Sequence, residues 1–257
     1  MAFQTAYLFN VSHNWAFYGF VFCGTVCSYN FHWALTPKLF QNPTTPTSAL
    51  SQIPLWLHIV LVATALMGAG VLFVILRPHW FWLAGAGFLS FLYSAPKIPL
   101  PVTRFLRKIA YGKTIFLTLA WTYITAVLPL LITDTKIDTP HILFCVNRFF
   151  LIYSICILFD LRDRESDQKE GIRGMITQFN LKAVDRIYFG SLFVFFSSAL
   201  ALAFYFPIPV ILAFSIPGLV LLFYYNWFKK QASDFVYNFI LDGFMIISLP
   251  LLLLFEI

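Results

Sequence analysis

Eight apolar stretches, each about the length a helix needs to cross the hydrocarbon of a bilayer, follow one another through this 257-residue chain. They fall at 14–35, 54–76, 79–95, 111–132, 141–160, 186–206, 208–227 and 236–255. Backbone groups in lipid must be satisfied within their own segment, so the chain is confined to helices. The expectation is an all-α polytopic membrane bundle of about eight transmembrane helices, forming a single transmembrane domain. With 60% apolar and 11% charged residues, a soluble domain is excluded. Residues 3–9 are apolar but too short to span, and Pro207 and Pro209 mark a tight turn between the sixth and seventh spans. The 36–53 connection, with Pro37, Pro43 and Pro46, reads as an irregular loop. No Lys or Arg precedes Lys38, so the positively charged start of a cleavable signal is missing.

The charges lie in loops. Fourteen of the 17 basic residues fall on one side, in the 36–53, 96–110, 161–185 and 228–235 connections and at the adjoining helix ends, and only Arg77 and Lys136 on the other. The positive-inside rule puts the basic side in the cytoplasm and both termini outside, as in an integral protein of a bacterial inner membrane. This distribution, rather than the net charge of +6, argues against nucleic acid as a partner. Cys23, Cys27, Cys145 and Cys156 all lie within apolar spans and read as small core residues. Arg148 lies inside the fifth span, where the default is snorkelling to the outer interface. Asp242, in the cytoplasmic half of the last span, either lines a cavity and orients an acceptor or is a helix-entry carboxylate bonded to Asn238 or Tyr237.

Two segments on the basic side carry candidate chemistry. The run Asp160-Leu161-Arg162-Asp163-Arg164-Glu165-Ser166-Asp167 follows directly on the apolar span from His141 to Phe159. If the helix continues through it, Asp160, Asp163 and Asp167 share one narrow face. Their repulsion would be relieved by a hard cation such as Mg²⁺, which binds a few carboxylates together with substrate phosphates. A solvated face balanced by Arg162, Arg164 and Lys169 is the plainer alternative. The second segment is Tyr93-Ser94-Ala95-Pro96-Lys97, followed by Arg104, Arg107, Lys108 and Lys113. It suits an anion site, and equally an aromatic belt with positive-inside charge. Carboxylates for a metal and cations for phosphate on one membrane face together suit a diphosphate.

The pattern Asp160-x-Arg-Asp163-x-Glu-x-Asp167-x-x-x-Gly171-Ile-Arg resembles the second aspartate-rich motif of the UbiA superfamily of intramembrane prenyltransferases. Tyr93-x-x-x-Lys97 resembles that superfamily's Tyr/Lys loop motif. The resemblance extends from about residue 15 to 255. It implies a helical bundle around a central cavity and Mg²⁺-dependent transfer of a prenyl group from an isoprenoid diphosphate to a hydrophobic, aromatic or lipid-like acceptor in membrane lipid. By the same resemblance, Asp160, Asp163 and Asp167 would be the catalytic metal ligands. Tyr93 and Lys97, helped by Arg104, would contact the diphosphate.

Two departures accompany it. The first aspartate-rich motif is expected where the chain reads Ser28-Tyr29-Asn30-Phe31-His32-Trp33-Ala34-Leu35-Thr36-Pro37-Lys38; only Asn30 matches, and Phe31, Ala34 and Lys38 replace carboxylates. With eight spans, the family's first helix is absent. Lys38 could offset diphosphate charge in place of a second cation. The alternative is a degenerate relative that binds lipid or scaffolds a protein partner. A transporter is the weakest reading, since no inverted repeat is visible.

Overall fold

The computed structural model of the chain describes residues 1–12, 14–34, 54–94, 113–133, 135–169, 174–231, 233 and 235–254. No strand occurs among them. The helices are α1 Ala2–Leu8, α2 Trp15–Ala34, α3 Leu55–Ile75, α4 Trp80–Ser94, α5 Lys113–Thr122, α6 Leu128–Leu131, α7 Thr139–Lys169, α8 Met175–Gln178, α9 Leu181–Leu202, α10 Ile208–Phe223, α11 Tyr225–Phe228 and α12 Ser248–Leu254. Every predicted span is largely helical. Among the described residues, four helical stretches, Leu55–Ile75, Thr114–Leu131, Thr139–Glu165 and Leu181–Leu202, are long and apolar enough to cross a membrane. α3 packs along α2 and leaves Ile59, Val60, Met67, Val71 and Val74 exposed. An apolar face this long belongs in lipid rather than water.

Prolines shape the departures from regular helix. A π-wound segment, Tyr123–Val127, joins α5 to α6. Pro129 follows it, and its missing N–H leaves the carbonyl of Thr125 free of a helical partner. Thr5 of α1 fills that vacancy, its hydroxyl donating to the Thr125 carbonyl at 2.6 Å. A seven-residue helix too short to span is thereby fixed inside the bundle, with Gln4 and Thr5 buried. The last predicted span is interrupted: a π segment, Val236–Leu241, gives way to turns at 244–247 before α12 begins. The restart puts Pro250 in the first turn of α12, where its missing donor is harmless.

The core lies around α7, which packs against α9 and α5. Leu151, Ile152, Ile155, Ile157 and Leu158 are fully buried, and Tyr188, Phe195, Leu221 and Tyr237 join them. Of the four cysteines, Cys156 is buried and the other three are half-buried; all are free thiols.

Candidate functional site at the charged end of the long helix

The helix α7 has 31 residues and a length of about 46 Å, so it outruns a hydrocarbon layer of about 30 Å. The continuation proposed from sequence holds: Asp160, Asp163 and Asp167 lie on one unbroken helix. Asp160 accepts a hydrogen bond from the hydroxyl of Thr114, at the start of α5. Arg162 Nε donates to Asp163 Oδ1 at 2.7 Å. The same guanidinium lies 4.6 Å from the Tyr237 ring centroid and 5.3 Å from that of Phe159. Arg164 reaches the Phe179 carbonyl at 3.4 Å, tying the protruding turn to the end of α8. Among the described residues, no three His, Cys, Asp or Glu side chains gather closely enough to hold a metal ion.

Asn30, the single match to the first aspartate-rich motif, connects α2 to α3. Its amide donates to the Val26 carbonyl at 2.8 Å, and its oxygen lies 2.9 Å from Nδ1 of buried His58. Tyr93 sits in the last turn of α4. Lys38, Lys97 and Arg104 lie outside the described residues.

A mostly apolar slot of about 260 Å³ opens between α2, the α5–α6 stretch and the interrupted last segment. Tyr29 and Trp121 form one wall, their rings edge to face at 6.2 Å between centroids. Met1, Ala2, Val21 and Thr125 line it further in, and Asp242, Met245 and Ile246 close the other side. Asp242 therefore lines a cavity, and the Tyr237 form of the helix-entry alternative fails: Tyr237 gives its hydroxyl to the Phe228 carbonyl at 2.9 Å. A larger open hollow of about 450 Å³, beside Ser12, His79 and Thr133, lies at the opposite end of these helices.

Two arrangements escaped the sequence reading. Asp185 at the start of α9 accepts from the Tyr225 hydroxyl and, at 2.7 Å, from Lys229 Nζ. Tyr225 stacks on Tyr188 at 4.3 Å, so this trio clamps the start of α9 to the turn after α10. The four-residue spacing of Tyr225 and Lys229 was the available signal. The second is Arg148. Snorkelling is overturned, because the residue is 1% exposed and its guanidinium is held inside by Ser248, at 3.1 Å, and by the rings of Phe144 and Phe214. A hydroxyl and two aromatic faces in the interior outcompeted the interface.

Geometry and composition together define an all-α membrane protein with charged groups gathered at one end of its longest helix. Compared with family models, curated proteins and solved structures, the chain matches none.

Proposed function

We propose that this is a UbiA-like intramembrane prenyltransferase, acting where the long helix leaves the membrane on the cytoplasmic face of a bundle of eight spans. The observation that carries the reading is the unbroken helix through Asp160, Asp163 and Asp167, in a bundle that also holds an aromatic-walled apolar slot. The donor set fits a magnesium ion that arrives with a diphosphate rather than a resident one. Its carboxylates are hard oxygen donors, yet Asp160 is engaged by Thr114 and Asp163 by Arg162, and no three converge. Mg²⁺ is commonly held by one or two carboxylates plus phosphate oxygens. When bound, it would neutralise charge building on the leaving diphosphate.

The chain's own groups supply the rest. Lys97, with Arg104 and Lys38, would hold the outer phosphate oxygens, and Tyr93 would donate a hydrogen bond to one of them. Asn30, the remaining substrate-binding candidate, is bonded to Val26 and lies against His58. The rings of Tyr29 and Trp121 in the wall of the slot would offer π-density to positive charge forming beside it.

Protein in nanodiscs, given a labelled isoprenoid diphosphate and membrane lipid extract, is expected to form a prenylated product that EDTA suppresses. Asp163→Ala should lower the rate by about 10²-fold or more, as removal of one preorganised charge-stabilising group does. An unchanged rate would discard these assignments.

Two observations favour a second reading, a degenerate relative that binds lipid or supports a protein partner. Arg162 already neutralises Asp163, and the first motif has lost its carboxylates. Copurification of a stoichiometric partner in mild detergent, with no diphosphate binding, is the result that would select it.

A further inference from the structure

From the slot we infer a binding site for a membrane-dissolved amphiphile whose polar end is a hydrogen-bond donor, a hydroxyl or an ammonium, placed on Asp242. Its apolar body would lie against Tyr29, Trp121 and Met245. The inference begins with an unmatched group. Asp242 is half-buried and makes no hydrogen bond or close ion pair with any described residue. A carboxylate in apolar surroundings is costly without a partner, and intramembrane ionisable groups characteristically face a wet cavity or a ligand.

Three neighbouring donors are committed elsewhere. Tyr237 bonds the Phe228 carbonyl, Thr125 the Trp121 carbonyl at 2.7 Å, and Arg162 is engaged by Asp163 and two rings. Among the described residues, Asp242 is the one carboxylate in a mostly apolar wall that also carries Met1, Tyr29 and Trp121, so what the slot offers a ligand at that point is a negatively charged acceptor. A carboxylate or phosphate head would be repelled by Asp242; a hydroxyl or ammonium would satisfy it.

Shape agrees. Val21 and Tyr29 lie eight residues apart on α2, which gives the slot a length of about 12 Å along the helix axis. Ile246, 52% exposed at its rim, leaves it open to the lipid side, so a ligand could enter from the bilayer. Within the prenyl-transfer proposal this ligand is the acceptor, and the reacting group is the hydroxyl or amine held by Asp242. Only that label rests on the proposal; the binding does not.

The test uses the full chain in nanodiscs and three photoreactive probes of equal chain length: a long-chain amine, alcohol and acid, each carrying a diazirine. The amine and the alcohol are expected to crosslink peptides carrying Tyr29, Trp121 or Met245, in competition with unlabelled compound, and the acid is not. Asp242→Asn should cut amine labelling by about tenfold and alcohol labelling less, since only the ammonium loses a charge-assisted bond. Asp242→Leu should remove both. Equal labelling by all three probes, labelling of the slot no higher than of lipid-facing α3, or labelling unaffected by either substitution would overturn the site. No diphosphate is present in this assay, so failure of the Asp163→Ala transfer test and failure of the slot are read separately.

Discussion

Arg148→Met is expected to raise stability by about 1–4 kcal/mol, the range seen when buried charge is replaced by apolar groups of similar volume. For a chain of this size each kcal/mol moves the melting midpoint by roughly 2–4 °C. Arg148 is 1% exposed, and among the described residues its Nε and Nη2 have no hydrogen-bond partner. Its interactions are one bond to Ser248 Oγ and the faces of Phe214 and Phe144, at 4.7 and 5.1 Å. A cation over aromatic rings gains about 0.5–2 kcal/mol and one such hydrogen bond about 1.5–3. The residual desolvation penalty of a buried ion is several kcal/mol, and the unmatched N–H groups add to it. Methionine removes the charge and keeps contact with both rings. Ser248 still accepts from Gln4 Nε2 at 2.8 Å, so α1 stays tied to α12. Arg148→Ala should do the opposite, lowering stability by about 2–5 kcal/mol through the cavity it leaves between the two rings. Thermal unfolding in one detergent decides the matter. A Met variant that melts as low as the Ala variant would show that the guanidinium is stabilising as it stands.

That contrast marks how far the sequence could be read. Helix positions were legible because long apolar runs in lipid must satisfy their own backbone: the predicted 54–76 and 79–95 appear as the helices Leu55–Ile75 and Trp80–Ser94, the first of them long and apolar enough to cross a membrane. Continuation of α7 through Asp167 was legible because nothing in Asp160–Lys169 breaks a helix. The rotation of each helix was not. Arg148 faces inward because Phe144, Phe214 and Ser248 meet there, from three helices separated by up to a hundred residues. The π segments were hidden for a different reason. Pro129 and Pro250 were visible, but which carbonyls they free, and that Thr5 fills one, depends on where α1 docks. In the candidate site, the ladder of carboxylates was legible and its pairing was not: Thr114 and Arg162 claim two members through contacts that helical spacing does not encode. The remaining phosphate-binding candidates, Lys38, Lys97 and Arg104, lie outside the described residues.

Gly218→Ala is expected to destabilise the bundle by about 1–3 kcal/mol, the usual cost of overfilling a packed core. On helical propensity alone the change should be favourable by about 1 kcal/mol, so the sign tests which effect wins. A Cβ at Gly218 would lie 2.2 Å from Cε1 and 2.7 Å from Cδ1 of Phe195, which faces it from α9. Neither side can yield cheaply. Phe195 is fully buried in the main core, and its carbonyl accepts hydrogen bonds from Asn147 at 3.1 Å and from Ser198 at 2.7 Å. The Asn147 bond fixes the α9 backbone against α7, and the ring, packed in the main core, cannot swing without entering other core side chains. The overlap exceeds what a shift of a few tenths of an ångström relieves, so steric cost outweighs propensity. A double-mutant cycle isolates the cause. Phe195→Ala alone should cost about 3–5 kcal/mol, and in the Gly218→Ala background it should cost at least about 1 kcal/mol less, because the new methyl group then occupies part of the space the ring left. Strictly additive effects, or a Gly218→Ala protein that melts above the wild type, would mean that α9 and α10 are not held at this close approach.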